Sequence, residues 1–449
     1  MIRYPNQVWT GHANAQAPAP AAAELVPTQF DPLQRMCLYL GSALLFLYFS
    51  ILPQIAGQVF NVNLYLPYLV GIPAIAATIL NGGIAKSFRA RPAYYCMGYG
   101  CWMALAVPFS SWRSGSAIAC FNYWRVALVL LFVTAGMLFE WRDIRKIMNV
   151  IACAGIVNIV SARLFRLEGD YRVSLTFGTI GNSNDYAAHL LLVLPFLLWI
   201  LLTGKVFFRI VALLSVGAGL YLIIGTGSRG AVLALAADML FFIVLGTSRQ
   251  KAALLLLGPI AAVLLMSTVS TSTWRRLTSI WSTSVDSAEA LEASESSLAR
   301  QYVFRTSIRY TFEHPIFGVG PEQFAPYEGE HERVTATHGY WHDTHCSFTQ
   351  ASSECGIPGF LFFAGGTFST LFLLYKTFRQ ARSRANCEDI RIAVFCIMLG
   401  LVGFNVAITF LNFAYFFYFP AMAGLATGIW SAAQREFQLR DAALKPGTL

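Results

Sequence analysis

Charge is scarce in this 449-residue chain: 12% of its residues are Asp, Glu, Lys or Arg, against roughly 25% in an ordinary soluble domain. With 56% hydrophobic residues and a mean hydropathy of +0.55, that scarcity excludes a soluble fold. There is no CxxC pair. Most of the nine cysteines, among them Cys96, Cys101, Cys120, Cys153 and Cys396, lie inside apolar runs and read as small core hydrophobes. No internal repeat is found. The N-terminus lacks the basic-then-apolar pattern of a cleaved signal peptide, so residues 1–35, rich in Ala and Pro, read as a flexible cytoplasmic tail. Lysine is rare as well, at six residues against 26 arginines.

What the chain does have is apolar blocks of about twenty residues, the length a helix needs to cross a bilayer. Short alternating segments, the mark of a membrane β-barrel, are missing. Twelve spans are expected near 36–56, 64–84, 93–111, 118–138, 147–162, 185–203, 207–226, 230–247, 252–269, 357–376, 391–411 and 413–432. The fold class is an all-α polytopic membrane protein. Its expected organisation is a nine-helix region at 36–269, a periplasmic loop at 270–356, three closing helices at 357–432 and a cytoplasmic tail at 433–449. The net charge of +9 needs no nucleic acid as partner, because cytoplasmic loops collect basic residues. With the N-terminus inside and twelve crossings, all six lysines fall on the cytoplasmic side, from Lys86 to Lys445.

The basic residues left outside are all arginine, including Arg172, Arg229, Arg300, Arg305 and Arg309. Arginine presents a rigid fork of donors that suits phosphate, so an anionic partner is expected on that face. The loop at 270–356 is far longer than ordinary connections, which marks it as functional. Within it, Leu298–Phe312 has the pattern of an amphipathic helix, ended by Glu313-His314-Pro315 because the residue before proline resists helical geometry.

Several constellations carry chemistry. His338, His342 and His345 sit at i, i+4 and i+7. On a helix they would share a face and suit a metal. Equally, one of them suits proton transfer, or all three belong to an interfacial belt with Tyr340 and Trp341. Pro315-Ile-Phe-Gly-Val-Gly-Pro321 reads either as a backbone cradle for phosphate or as a tight turn docking on the bilayer surface. Gly225-Thr-Gly-Ser-Arg229-Gly230 puts a charge at a membrane boundary. Gly181-Asn-Ser-Asn-Asp185 opens a span, with Asn184 or Asp185 as the expected helix cap. Glu168-Gly-Asp170 is a weak candidate for a divalent metal. Arg125 and Asp238 are the main charges within spans; a transporter would place its ionisable groups there, whereas here the candidates gather in the external loop, which favours an enzyme.

Taken together, these segments resemble the O-antigen ligase/polymerase family of bacterial membrane glycosyltransferases over about 175–360. The resemblance rests on Ser228-Arg229, Gly181-Asn182…Asn184, Arg300…Pro315-x-x-Gly-x-Gly-Pro321 and a signature running from His345 through Gly356 to Gly359. Only His345 gives the right register, and Cys346 departs from the polar residue expected there. The resemblance implies a GT-C-like fold and a site facing the periplasm from the bacterial inner membrane. The donor would be O-antigen on undecaprenyl pyrophosphate and the acceptor lipid A–core. Transfer would invert the anomeric carbon with no metal or other cofactor. His345 would act as base or acceptor contact, with Arg229 and Arg300 on the pyrophosphate and His338 and Arg305 as second choices. Arg300 points well away from the face that Arg305 and Arg309 share. The alternatives are an O-antigen polymerase and a lipid-linked glycan flippase.

Overall fold

The computed structural model describes residues 32–62, 65–138, 140–165, 172–175, 180–268, 270–278 and 288–334, together with 339–443. Among these residues there is no strand; the chain is all-helical. The helices used below are α1 (Pro32–Ser50), α2 (Leu66–Leu80), α3 (Arg91–Ala106), α4 (Arg113–Gly136), α5 (Trp141–Leu164), α6 (Ser183–Thr203) and α7 (Val206–Gly225). They continue as α8 (Arg229–Leu245), α9 (Ser248–Thr268), α10 (Ala288–Glu313), α11 (Phe324–His331), α12 (Ser347–Arg382), α13 (Glu388–Ala407) and α14 (Tyr418–Ala443).

Each of the twelve expected spans falls on a helix, and among the described residues seven helices are long and apolar enough to cross a membrane: α1, α4, α5, α6, α7, α12 and α13, the last with its short extension to Phe410. α6 and α13 form the centre of the bundle, packed on each other and largely buried, while α7 leaves most of its apolar surface outward. Water gives no reason for apolar helices to associate inside a bilayer, so close packing must do it. Gly400 of α13 shows how: a Cβ there would stand 2.7 Å from the Leu192 carbonyl of α6. A polar clasp ties α6 to two further helices. His189 of α6 lies 2.6 Å from the Asn158 side chain of α5 and 3.0 Å from the Tyr418 hydroxyl of α14. Arg125 interrupts α4 in a π-helical stretch, Tyr123–Leu128, where it meets the Tyr68 hydroxyl and Asn122. Asp238 packs against Gly403.

Several boundaries differ from expectation, the last helix among them, which starts at Tyr418 and runs on to Ala443 through most of the expected tail; two bear on the site. α10 begins ten residues before Leu298 but ends at Glu313 as the proline requires. α12 begins at Ser347 rather than 357, because two helical segments meet across Gly356, whose φ of 70° and ψ of −177° break the helix.

Candidate active site

Glycine at 356 opens a gap in the backbone ladder of α12, and the Pro315–Pro321 turn fills it. The amides of Val319 and Gly320 donate to the Ser353 and Glu354 carbonyls at 2.9 and 3.0 Å, and the Ile357 amide returns to the Pro315 carbonyl at 2.8 Å. A Cβ at 356 would sit 2.1 Å from the Ile316 carbonyl oxygen, so only glycine permits the approach. The Val319 and Gly320 amides are thus engaged with α12, a use of the turn that differs from both expectations.

Two buried glutamates then fix the rest of the loop. Glu354 of α12 accepts from the Glu322 and Phe324 amides at 3.0 and 3.2 Å. Glu328 of α11 is fully buried and accepts from the Tyr302 hydroxyl at 2.9 Å and from the Tyr340 and Trp341 amides at 3.0 and 2.8 Å. Glu322 and Trp341 both hold left-handed backbone, with φ of 57° and 59°. That geometry strains a residue with a side chain by about 1–3 kcal/mol. In each case the strained amide donates to a buried glutamate side chain, a bond that helps to hold the conformation. Val303 and Tyr310 of α10 pack with Val319 and Phe324 to close a small separate core.

The segment 339–346 is non-helical, so the histidines there do not form a helical face. His338 lies outside the described residues, as does the Glu168/Asp170 pair. Among the described residues no three His, Cys, Asp or Glu side chains gather as metal ligands would. His345 is held from both sides. Before it, Glu328 pins Tyr340 and Trp341, and Asp343 accepts from Asn412 at 3.2 Å. After it, the Ser347 hydroxyl donates to the Leu411 carbonyl and accepts from the Phe413 amide, at 2.7 and 2.8 Å. Cys346 occupies the helix cap and makes no capping bond from its side chain; the serine clasp instead ties the start of the helix to 411–413. The His345 imidazole is lowered to about 4 by burial, then by the positive charges of Arg300 and His342. Desolvation, with the Asp343 charge beside it, raises the Glu322 carboxyl.

Arg300 lines a small cleft with Asn184, Ser228, Gly230 and Leu411. Ser228 caps α8, accepting from the Ala231 amide, and Arg229 is the first residue of that helix, between two residues of the cleft wall. Arg172 braces the opposite wall: its guanidinium donates to the Thr226 carbonyl at 2.9 Å and to Asn184 at 3.1 Å. The helix cap at this end is Asn182, whose side chain accepts from the Asn184 and Asp185 amides, rather than Asn184 or Asp185. Asp185 instead turns back to the Gly181 amide at 3.0 Å. Arg305 is not part of this group. It is exposed and lines a second cleft on the other face of α10, with Arg309 and Glu332.

So Arg300 shares a cleft with the Ser228–Gly230 turn and lies near enough to His345 for its charge to act on the imidazole, while Arg305 stands apart. Glu328, Glu354 and Arg172 had not been singled out as structural anchors. A carboxylate at 354, just before the apolar stretch and two residues ahead of Gly356, was a legible signal for the first contact; Glu328 offered none. The wider sequence agrees with the geometry. No curated protein matches the chain. Residues 210–364 match the model of the O-antigen ligase family, a stretch that contains Arg229, Arg300 and His345. Over this region, about a third of its length, the chain is thus similar to the O-antigen ligase family.

Proposed function

We propose that the protein is an O-antigen ligase. It moves O-antigen polysaccharide from undecaprenyl pyrophosphate to a sugar hydroxyl of lipid A–core, at the periplasmic face of the bacterial inner membrane, through a twelve-helix GT-C-like fold. The observation that carries this reading is the nearness of His345 and Arg300 beside the Ser228–Gly230 turn, within the family match.

In the proposed reaction the acceptor oxygen attacks the anomeric carbon from the face opposite the pyrophosphate. The new C–O bond forms as the bond from carbon to phosphate oxygen breaks, which inverts the centre. The acceptor proton passes to His345, which is unprotonated at neutral pH because burial and Arg300 disfavour its charged form. The pyrophosphate leaves on its carrier, its growing charge met by Arg300 and Arg229 in place of a metal. Arg300 then links the two ends of the reaction. While the donor is absent its charge suppresses proton uptake by His345; a bound pyrophosphate offsets that charge and makes the imidazole a better base.

A strain lacking the protein tests the reading. Loss of a ligase leaves full-length chains on the undecaprenyl carrier and bare lipid A–core. Core bearing a single repeat would instead identify a polymerase and overturn the ligase assignment. Purified protein is expected to keep its activity in excess EDTA; loss of activity that zinc or magnesium restores would refute the metal-free mechanism.

A further inference from the structure

A large cavity lies at the end of the bundle remote from His345. It measures about 920 Å³ and opens between α3, α12 and α13, with Phe241 of α8 and Trp430 of α14 completing the wall. The antiparallel pairing of α3 and α12 fixes its orientation. Gly359 faces Tyr99, Gly98 faces Phe362, and Gly365 and Gly366 face Tyr95. Continued one turn further, that register brings Arg91 and Arg89, at the start of α3, alongside the stretch of α12 that ends in Lys376. All three cations line the cavity and all are exposed. Among the described residues no carboxylate pairs with any of them. Past the cations the lining turns apolar, with Phe368 and Phe372 more than 60% exposed into a space that no protein atom fills.

We infer that this cavity binds one anionic glycerophospholipid, its phosphate held by Arg89, Arg91 and Lys376 and its acyl chains lying along Phe368 and Phe372. Three unpaired cations at a cavity mouth call for an anion, and an apolar interior calls for hydrocarbon on the same molecule. Basic pockets between membrane helices on the cytoplasmic side are suited to acidic lipid headgroups. Depth selects the occupant further. Gly365 to Lys376 spans about 16 Å at the helical rise, about half of a hydrocarbon core roughly 30 Å thick. That is one leaflet, the reach of an ordinary acyl chain and much shorter than an extended polyprenyl tail. The carrier lipid's pyrophosphate, moreover, would belong at the His345 end. The inference rests on the orientation proposed above only in naming the leaflet as cytoplasmic.

The test is native mass spectrometry of the full-length protein released from nanodiscs of equal phosphatidylglycerol and phosphatidylcholine content. Wild-type protein should retain one phosphatidylglycerol in preference to phosphatidylcholine. The Arg89→Gln/Arg91→Gln/Lys376→Gln variant should lose that preference by roughly ten-fold or more. Lys376→Gln alone, a change at one exposed residue, should show an intermediate loss. Arg300→Ala should retain the lipid unchanged, which separates this site from the transfer site. Equal retention of the two lipids, a triple variant that holds phosphatidylglycerol as well as wild type, or no retained lipid at all would overturn the assignment. Displacement of the bound lipid by undecaprenyl phosphate would overturn it in favour of the carrier.

Discussion

Arg300 and Arg305 lie on one helix, five residues apart, and meet opposite surroundings. Arg300 turns toward His345 and the Ser228–Gly230 turn, drawn from elements some 45 to 70 residues distant in sequence; Arg305 lines an open cleft with Arg309 and Glu332. Five residues rotate a helix through well over a third of a turn, so the separation is built into the geometry of α10. Arg305 and Arg309, four apart, share a face as they must. Identical chemistry in one short segment thus serves two surfaces, and helical phase decides which arginine can reach a donor.

The comparison breaks most sharply at the transfer site. His345→Ala is expected to reduce transfer by about 10²–10⁴, the usual loss on removing a general base, while leaving donor binding nearly intact. Arg300→Ala should weaken donor binding as well as turnover, by about 10²–10³ in rate. Arg300→Lys should restore part of it, since a point charge cannot reproduce two-point contact. Donor binding and turnover of purified variants at matched thermal stability are the measurements. Near wild-type turnover for His345→Ala, or unchanged donor affinity and rate for Arg300→Ala, would remove that residue from the mechanism.

Next in size are the glutamates that carry the loop. Glu354→Leu leaves the Glu322 and Phe324 amides without their acceptor, and each orphaned buried donor costs about 1–3 kcal/mol. Glu328→Leu orphans the Tyr340 and Trp341 amides and the Tyr302 hydroxyl in the same way. Both should lower the melting temperature of the detergent-solubilised protein, and Glu328→Leu should also impair transfer in what remains folded, because it releases the segment leading to His345. Glutamine at either position should be milder, since it keeps one acceptor oxygen. A Leu variant as stable as wild type would show that the loop is held by other contacts.

These anchors also mark the limit of what was legible in the sequence. The helices were, because a bilayer demands long apolar runs and those cannot be disguised; even the end of α10 followed from Pro315. Arg300, Arg229 and His345 were singled out through the family resemblance, and helical phase separated Arg300 from Arg305 in advance. Glu354 was legible as a carboxylate out of place, but neither its hydrogen-bond partners nor those of Glu328 were. Those bonds join residues through backbone amides, which every residue has and no side-chain pattern advertises. The break at Gly356 hid for the same reason: a glycine in an apolar run gives no sign that a turn forty residues earlier will enter the gap. Arg172 read as one more external arginine until its contacts with Thr226 and Asn184 made it a brace.

The pH dependence sharpens the link between the two sides of the site. A folded His345 near 4, against the ordinary 6.5, binds fewer protons than the unfolded chain between those values. Stability should therefore fall as pH drops from 6.5 toward 4, and His345→Gln should make that fall shallower. The neutral imidazole of the donor-free protein persists through the same window, so kcat/KM for the donor should stay level down to about pH 5 and decline only near 4. In Arg300→Gln one cause of the depression is gone, and the residual activity should begin to decline at higher pH. A wild-type profile already breaking near 6.5 would mean that His345 is neither buried nor beside a cation when it works.

The smallest effect is expected at Arg305, and its smallness is the point of the comparison. Arg305 is exposed and faces Arg309 and Glu332 across an open cleft. Exposed substitutions away from a site usually shift stability by less than about 0.5 kcal/mol. Because α10 turns the residue away from the Ser228–Gly230 turn, Arg305→Ala removes a charge from the wrong face to touch the pyrophosphate. Donor affinity and turnover should therefore stay within roughly two-fold of wild type, a change of that same order in free energy. The comparison is strongest if Arg305→Ala and Arg300→Ala are measured in the same preparation and at the same ionic strength, since screening weakens any long-range contribution from an exposed charge. If Arg305→Ala loses activity as Arg300→Ala does, and salt does not diminish the loss, then the donor spans both faces of α10 and helical phase does not sort the arginines.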